Sequence, residues 1–199
     1  VYSQANYDLE RNKFPSKRLV RYLDTACLFR DRNAFSNSIG YQKLFVNAHT
    51  IQALGISLNE LTINWSIDSF LKKLNSLKVV QMLFLDPEGT TTKQREQNEN
   101  LPRGTIANVT RTNLNLIESI GKKCNAENRT KLKYQLYDNM INLNMYIIDH
   151  NYIILQHYLL GFRGQECPVY VIRNESHESG LFNLYQTIFN NLWQPSRVE

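Results

Sequence analysis

The residues best suited to chemistry lie on two neighbouring predicted strands in the later part of the chain. Asn142, Asn144 and Asp149 surround one apolar run, and Gln156 and His157 close the next. An amide is uncharged and a poor nucleophile, but it donates hydrogen bonds to phosphate oxygens. Histidine is the usual acid or base near neutral pH. We therefore expect these five side chains to form a pocket for an anionic ligand.

Two further segments are candidates for the same pocket. Arg163 lies in the turn Gly161–Gly164, which is able to approach a phosphate but is too short to be a nucleotide fingerprint. Asp86 closes a buried apolar run at its carboxyl end, where open α/β sheets place ligand sites. The Asp-Pro-Glu-Gly sequence is equally a favourable turn. We interpret the nearby Arg95 and Glu96 as surface charges on a helix.

Composition is that of one soluble globular domain. The 199 residues are 42% hydrophobic and 21% charged, enough to bury a core in a single domain. No run approaches the ~20 apolar residues of a membrane span, and the start does not resemble a signal peptide. The three cysteines are odd in number and widely spaced, which predicts reduced thiols in a cytoplasmic protein.

Charge and histidine spacing limit the partners further. The net charge of +5 and the pI near 9.1 favour nucleotides, nucleic acid or other phosphate groups. The sequence has one modest basic cluster, formed by Arg11, Lys13, Lys17, Arg18 and Arg21. We interpret it as a solvated helix face rather than as a nucleic-acid site. The histidines lack metal-ligand spacing, so we expect no metal and no cofactor.

Periodicity predicts a mixed sheet flanked by helices. We expect a lead-in or linker over residues 1–14 and a single domain over 15–199. A helix is predicted from Pro15 to about Arg32, followed by alternating helices and strands. The later segments are a buried parallel strand at 79–85, a helix or loop at 90–101, a helix ending near Gly121, four strands at 132–137, 141–149, 152–158 and 168–173, and a helix starting at Ser179.

The spacing around Asn142 resembles the phospholipase-D pattern His-x-Lys-x4-Asp. Asn142 stands at the histidine position, Asn144 at the lysine position, and Asp149 is retained. In the active enzymes a Gly-Ser pair tends to follow the second strand, where this chain has Gln156-His157. Other segments in the same order also resemble a degenerate phospholipase-D-like bacterial family of unknown function, often found behind helix-turn-helix domains in regulators: Leu83–Pro87, Cys167–Tyr170 and the closing stretch from Gly180 to Trp193.

That resemblance implies a phospholipase-D-like half with its reactive groups missing. In the active superfamily the histidine attacks phosphorus and the lysine stabilises charge on the phosphoryl oxygens. Asn142 and Asn144 are able to do neither, so the covalent step is lost while phosphate binding is retained. The resemblance also implies a homodimer. The leading hypothesis is a non-catalytic sensing or binding module for a phosphate-containing ligand, nucleotides included, in a bacterial regulatory or defence protein.

Two alternatives stay open from the sequence alone. One is a divergent nuclease or phosphodiesterase that uses His157 with Asp149 or Asp86 as an acidic partner. The other is a protein-interaction or dimerisation domain without a small ligand, for which the aromatic side chains of the last helix, including Trp193, are candidates. The sequence favours a binding domain over an enzyme.

Overall fold

The described residues build a seven-stranded mixed sheet with helices on both faces. The computed structural model describes residues 25–63, 65–159, 161–175 and 180–193. The helices and strands in chain order are β1 (Thr25–Phe29), α1 (Arg32–Ser38), α2 (Tyr41–Asn47), β2 (Thr50–Gly55), α3 (Asn59–Thr62), α4 (Ile67–Ser76), β3 (Val79–Leu85), α5 (Thr90–Asn98), α6 (Thr105–Lys123), α7 (Ala126–Lys131), β4 (Leu132–Tyr137), β5 (Leu143–Ile148), β6 (Tyr152–His157), a 3-10 turn (Gly164–Glu166), β7 (Val169–Arg173) and α8 (Leu181–Leu192). Within these ranges no helix has both the length and the apolarity to cross a bilayer.

The strand order determines which loops meet at each edge of the sheet. The order is β1-β7-β6-β5-β2-β3-β4, with β2, β3 and β4 parallel and the remaining pairs antiparallel. Strands β1, β2, β3, β4 and β6 therefore end at the same edge, where β5 and β7 begin. We call this the carboxyl edge and the opposite one the amino edge.

The two faces of the sheet bury separate cores because successive side chains of a strand point to opposite faces. On what we call the broad face, Val80, Met82 and Phe84 of β3 pack with apolar side chains of α1 to α4 and α6. On the α8 face, Leu83 and Leu85 pack with apolar side chains of α8. A residue's place in a strand therefore decides which layer its side chain enters.

The predicted mixed α/β architecture is confirmed. The four strands predicted late in the chain are β4 to β7, and β3 is a buried strand with parallel neighbours on both sides. Helix α4 begins at a cap, since the hydroxyl of Ser66 accepts the backbone N–H of Ser69 at 3.1 Å. The spacing of apolar residues predicts these elements correctly because burial of the apolar side chains favours the same secondary structure as the local sequence does.

The predicted helix between residues 15 and 32 is wrong where the structure describes it. Residues Thr25–Phe29 form β1, which pairs antiparallel with β7, for example Cys27 with Val171. Pairing with an exposed strand edge outweighs a short helical stripe, because local propensity contributes less than tertiary contacts. The helix start at Pro15, the lead-in over 1–14, the basic cluster from Arg11 to Arg21 and Ser179 lie outside the described residues.

Candidate functional site

The carboxyl edge brings together three of the residues predicted to bind a ligand. Asn142 immediately precedes β5, and Asn144 is the second residue of that strand. Gln156 of β6 pairs directly with Asn144 in the antiparallel register, so their side chains share one face. Both are buried, with exposed fractions of 5% for Asn144 and 1% for Gln156.

Arg32, which the sequence did not single out, reaches Gln156 from the first residue of α1. Its Nε and Nη2 donate to Oε1 of Gln156 at 3.0 and 2.7 Å. Its Nη1 pairs with the Glu60 carboxylate at 3.2 Å. Gln156 in turn donates to the carbonyls of Gly164 and Cys167 at 3.0 and 3.1 Å. The guanidinium is therefore held in a fixed orientation next to the loop that follows β6.

Arg95 makes the corresponding contacts on the other side of the edge. Its Nη1 donates to Oδ1 of Asn142 at 2.9 Å, and its Nε lies 2.9 Å from the Glu99 carboxylate. Its guanidinium carbon lies 4.4 Å from the centre of the Tyr158 ring. A cation above an aromatic face is attracted by the ring quadrupole, and desolvation strengthens the interaction. Tyr158 is thus stacked beneath a buried arginine.

Tyr158 joins the two halves of the site. Its side chain hydrogen-bonds Asn144, and burial raises the pKa of its phenol although Arg32 and Arg95 oppose the rise. The hydroxyl therefore stays neutral at physiological pH. Oδ1 of Asn144 and the hydroxyl of Tyr146 are buried without a hydrogen-bond partner among the described residues. Unpaired buried polar atoms are rare, and they often mark a place for water or a ligand.

A cavity of about 280 Å³ opens onto this network. Arg32, Tyr158 and Glu99 line it, together with Arg163 and Gly164 of the loop after β6. A Cβ on Gly164 would lie 2.7 Å from Cε1 of Tyr158, so only glycine allows the loop to pass this close to the ring. The start of α6 forms another wall through Thr105 and Ile106.

Asp149, the third member of the spaced motif, lies at the amino edge. It follows β5, roughly 20 Å from the asparagines at ~3.3 Å per residue. Its Oδ1 accepts the backbone N–H of His49 and of Thr50, both at 2.7 Å. Its φ of 52° places it in the left-handed region. The structure gives Asp149 contacts that anchor the start of β2, and it does not bring Asp149 to the cavity.

His157 also lies apart from the cavity, on the α8 face. It follows Gln156 in β6, so its ring points to the opposite side of the sheet. Its Nε2 lies 3.1 Å from the hydroxyl of Tyr185 in α8, and its ring packs edge-on against Tyr170. Burial lowers the pKa of this imidazole. His157 and Asp149 lie at opposite edges of the sheet, so the proposed acid-base pair is not assembled.

The other two predicted ligand residues have different environments. Asp86 follows β3 and forms a turn, its Oδ1 accepting the backbone N–H of Glu88 at 2.9 Å. Its carbonyl accepts the hydroxyl of Thr92 at 2.6 Å, and Asp86 does not line the cavity. Arg163 is exposed at the rim of the cavity.

The interpretation of Arg95 and Glu96 as surface charges is wrong. Both are buried, with exposed fractions of 7% and 3%. The Glu96 carboxylate accepts three backbone N–H groups at the start of α6, from Gly104, Ile106 and Ala107, at 2.7 to 3.1 Å. The Pro-Arg-Gly turn after α5 and the i,i+4 spacing of Arg95 with Glu99 were the available signals. Both charges are buried because each has polar partners that compensate for its desolvation.

Across the described ranges, no group of three histidine, cysteine, aspartate or glutamate side chains is arranged to hold a metal ion. The side chains at the carboxyl edge offer hydrogen bonds and positive charge. Arginine forks, amides and neutral phenols recognise phosphate and carboxylate groups. The sequence missed Arg32 and Tyr158 because their roles depend on contacts between distant elements.

Comparison with known proteins gives a family and a distant structural likeness. Residues 21–199 match the family model described as a domain of unknown function (DUF5919). No curated protein sequence matches the chain. The archaeal chromatin protein TrmBL2, whose structure is described as showing a novel mode of DNA binding, is similar with a TM-score of 0.48 and 13% sequence identity. The match covers 96% of this chain and 57% of that one, so this chain spans little more than half of its length.

Proposed function

This chain belongs to the DUF5919 family, and we propose that it is a non-catalytic binding domain for a small phosphate-containing ligand. Nucleotides are the first ligand class to test. The observation that carries the proposal is the cavity at the carboxyl edge, which Arg32 and Arg163 line beside Tyr158. Its volume of about 280 Å³ is close to the lower end of small-molecule sites, roughly 300 Å³.

The contacts of Arg32 support recognition of an anion. A guanidinium has five N–H donors in a planar fork. Gln156 and Glu60 take three of them, which fixes the side chain and leaves donor capacity beside the cavity. A preorganised arginine loses less entropy on binding than a free one does. Arg163 at the rim adds a second positive charge.

The side chains at the site favour binding over cleavage. Asn142 and Asn144 are amides, and each is already hydrogen-bonded, to Arg95 and Tyr158 respectively. The residues that line the cavity include neither histidine nor cysteine, the side chains that most readily act as nucleophiles at neutral pH. The hydroxyls of Ser57 and Thr105 also line the cavity, without a histidine in the lining to act as their base.

The resemblance in sequence supports a more specific proposal for the type of domain and for the protein that contains it. We propose a degenerate phospholipase-D-like domain, acting as a homodimer in a cytoplasmic bacterial regulatory or defence protein. Asn142 and Asn144 of the spaced motif lie at the edge that also carries Gln156, which supports this proposal, whereas Asp149 lies at the other edge. The exposed side chains of Leu136 and Met140 near the outer strand β4 offer apolar area for a second copy. Light scattering of the purified chain tests the homodimer separately from ligand binding.

Thermal unfolding in the presence of nucleotides and of inorganic phosphate tests ligand binding. A ligand that binds the folded state at a concentration of 100 Kd raises the stability by about 2.7 kcal/mol. We expect a higher Tm for the wild type and a smaller ligand-induced rise for Arg163→Ala. Arg173→Ala is the matched control, because Arg173 is exposed and does not line the cavity. Equal rises for both variants, or no rise with any phosphate compound, would overturn the proposal.

A further inference from the structure

Exposed basic side chains are concentrated at the amino edge near β3 and β4. The cavity lies at the opposite, carboxyl edge of the sheet. The group comprises Lys72, Lys78, Lys122, Lys123 and Arg129, all exposed, which we call the basic edge. Elsewhere in the described ranges, acidic and basic side chains are nearly equal in number. The positive charge of the described residues is therefore concentrated here rather than spread evenly over the surface.

Contacts between elements hold these residues close together. Nε of Arg129 donates to the carbonyl of Gly121 at 3.1 Å, which ties α7 to the end of α6, where Lys122 and Lys123 follow. Nδ2 of Asn128 donates to Oδ1 of Asn75 at 2.7 Å and ties α7 to the end of α4.

The strand pairing places the remaining members beside them. Leu132, which directly follows α7, pairs with Val80 of β3, and this places Lys78, just before β3, beside α7. Lys72 lies one helical turn before Asn75 on α4, on the same side of that helix. Four segments thus contribute to one basic surface.

The acidic groups near this surface lie one helical turn further from the amino edge, with Asp68 before Lys72 on α4 and Glu118 before Lys122 on α6. Glu127 pairs with Lys131 at 2.8 Å, and Lys131 is not counted in the basic edge. Glu118 accepts the hydroxyl of Tyr134 at 3.1 Å. Five exposed basic side chains therefore outnumber the acidic ones at this edge, and such an excess of positive charge favours a polyanionic partner.

We infer that the basic edge binds the phosphate backbone of duplex nucleic acid without reading its sequence. Membrane surfaces are recognised by basic residues together with exposed aromatic or aliphatic side chains. Tyr134 of β4 packs its ring against Phe84 and donates its hydroxyl to Glu118, so these contacts hold it away from insertion into a membrane and from stacking on a base. Lysine, arginine and amide donors suffice for backbone contacts.

Fluorescence anisotropy with a labelled duplex of random sequence tests the inference over a range of salt concentrations. We expect binding that weakens with salt, and no preference between two unrelated duplexes. The double variant Lys122→Glu/Lys123→Glu is expected to bind at least tenfold more weakly at low salt. Its salt slope should fall by about two, one for each lost contact. The milder Lys72→Gln/Lys78→Gln variant guards against misfolding, which circular dichroism also monitors.

The matched control is Lys93→Glu/Arg173→Glu, which changes the charge equally at exposed positions elsewhere. Retained binding in the basic-edge variants would overturn the inference, as would equal loss in the control. Loss of binding only in Lys17→Glu/Arg18→Glu would assign the contact to the early segment of the chain instead. Binding to anionic phospholipid vesicles but not to the duplex would also overturn it. None of the basic-edge residues lines the ligand cavity, so the outcome of this test is independent of ligand binding there.

Discussion

The side-chain oxygen of Asn142 accepts a hydrogen bond of 2.9 Å from Nη1 of Arg95, 47 residues earlier in the chain. The contact joins the start of β5 to helix α5 across the carboxyl edge. At the position that the resemblance assigns to a lysine, the strand carries Asn144, whereas a buried cation reaches the same edge from another element. The polar groups of the edge are therefore connected to one another before any ligand binds.

Replacement of Arg95 should be costly because three contacts depend on it. Arg95→Leu leaves Asn142 without its donor, Glu99 without its cation and Tyr158 without its stacked guanidinium. Removing one partner of a buried pair costs about 3 kcal/mol, and we expect that loss in the free energy of unfolding. Urea denaturation followed by circular dichroism measures it.

Arg111→Leu is the control for this variant. Arg111 pairs with Glu88 on the surface, where both side chains are more than 40% exposed. Exposed pairs contribute about 0–1 kcal/mol, so a small change is expected. Similar losses in Arg95→Leu and Arg111→Leu would mean that the buried network does not stabilise the fold.

The sequence predicts the elements well where periodicity and burial agree. The run from Val79 to Leu85 is apolar except for Gln81 because both faces of β3 are covered, and β5 and β6 are likewise mostly apolar, with Asn144, Gln156 and His157 as exceptions. Strand β1 was missed because its short apolar run also fits a helical stripe. Only its pairing with β7, more than 140 residues later, decides between the two.

The sequence predicts only the part of the candidate site that strand pairing brings together. Asn142, Asn144 and Gln156 meet because strand register alone brings them together. Alternation within β6 excludes His157, which faces Tyr185. Arg32 and Arg95 come from helices whose position relative to the sheet depends on the whole tertiary structure, so a single sequence gives no spacing that connects them to β5.

Glu96 should make the stability of the protein depend on pH in the acid range. Burial raises the pKa of its carboxyl, but backbone N–H groups of Gly104, Ala107 and Ile106 lower it, and the net pKa lies below the ordinary value of 4.5. A lowered folded-state pKa means that this stabilisation is complete above pH 4.5 and is lost as the pH falls through the folded-state value.

The variant Glu96→Gln isolates this contribution. The amide nitrogen of the new glutamine would face one of the backbone N–H groups that Glu96 accepts. Two donors would then oppose each other, and the buried donor left without an acceptor would cost about 1–3 kcal/mol of unfolding free energy at pH 7. The difference from wild type should shrink as the pH falls below 4.5, as measured by urea denaturation from pH 7 to pH 3. The exposed Glu118→Gln is the control. A difference that is constant over this range would contradict the assignment.

Gly164 should be sensitive to a single added methyl group because the loop passes against Tyr158. In Gly164→Ala the new Cβ would lie 2.7 Å from Cε1 of Tyr158 and 3.5 Å from Nη2 of Arg32, so the ring or the loop must shift. We expect a loss of about 1–3 kcal/mol from overpacking and a weaker ligand-induced rise in Tm. Gly121→Ala in α6, with nothing within 4 Å, should instead be stabilising by up to about 1 kcal/mol.

Asp149 should affect folding without affecting ligand binding, since it lies at the amino edge. Asp149→Ala loses the acceptor of two N–H groups and puts alanine at a φ of 52°, for an expected loss of about 2–3 kcal/mol. Asp149→Asn keeps an Oδ1 acceptor and tolerates this backbone region, so its loss should stay below about 1 kcal/mol. Urea denaturation measures both losses, and thermal unfolding with nucleotide measures the ligand-induced rise in Tm, which should equal that of wild type in Asp149→Asn. A rise abolished in the asparagine variant would return Asp149 to the binding site and contradict the separation of the two edges.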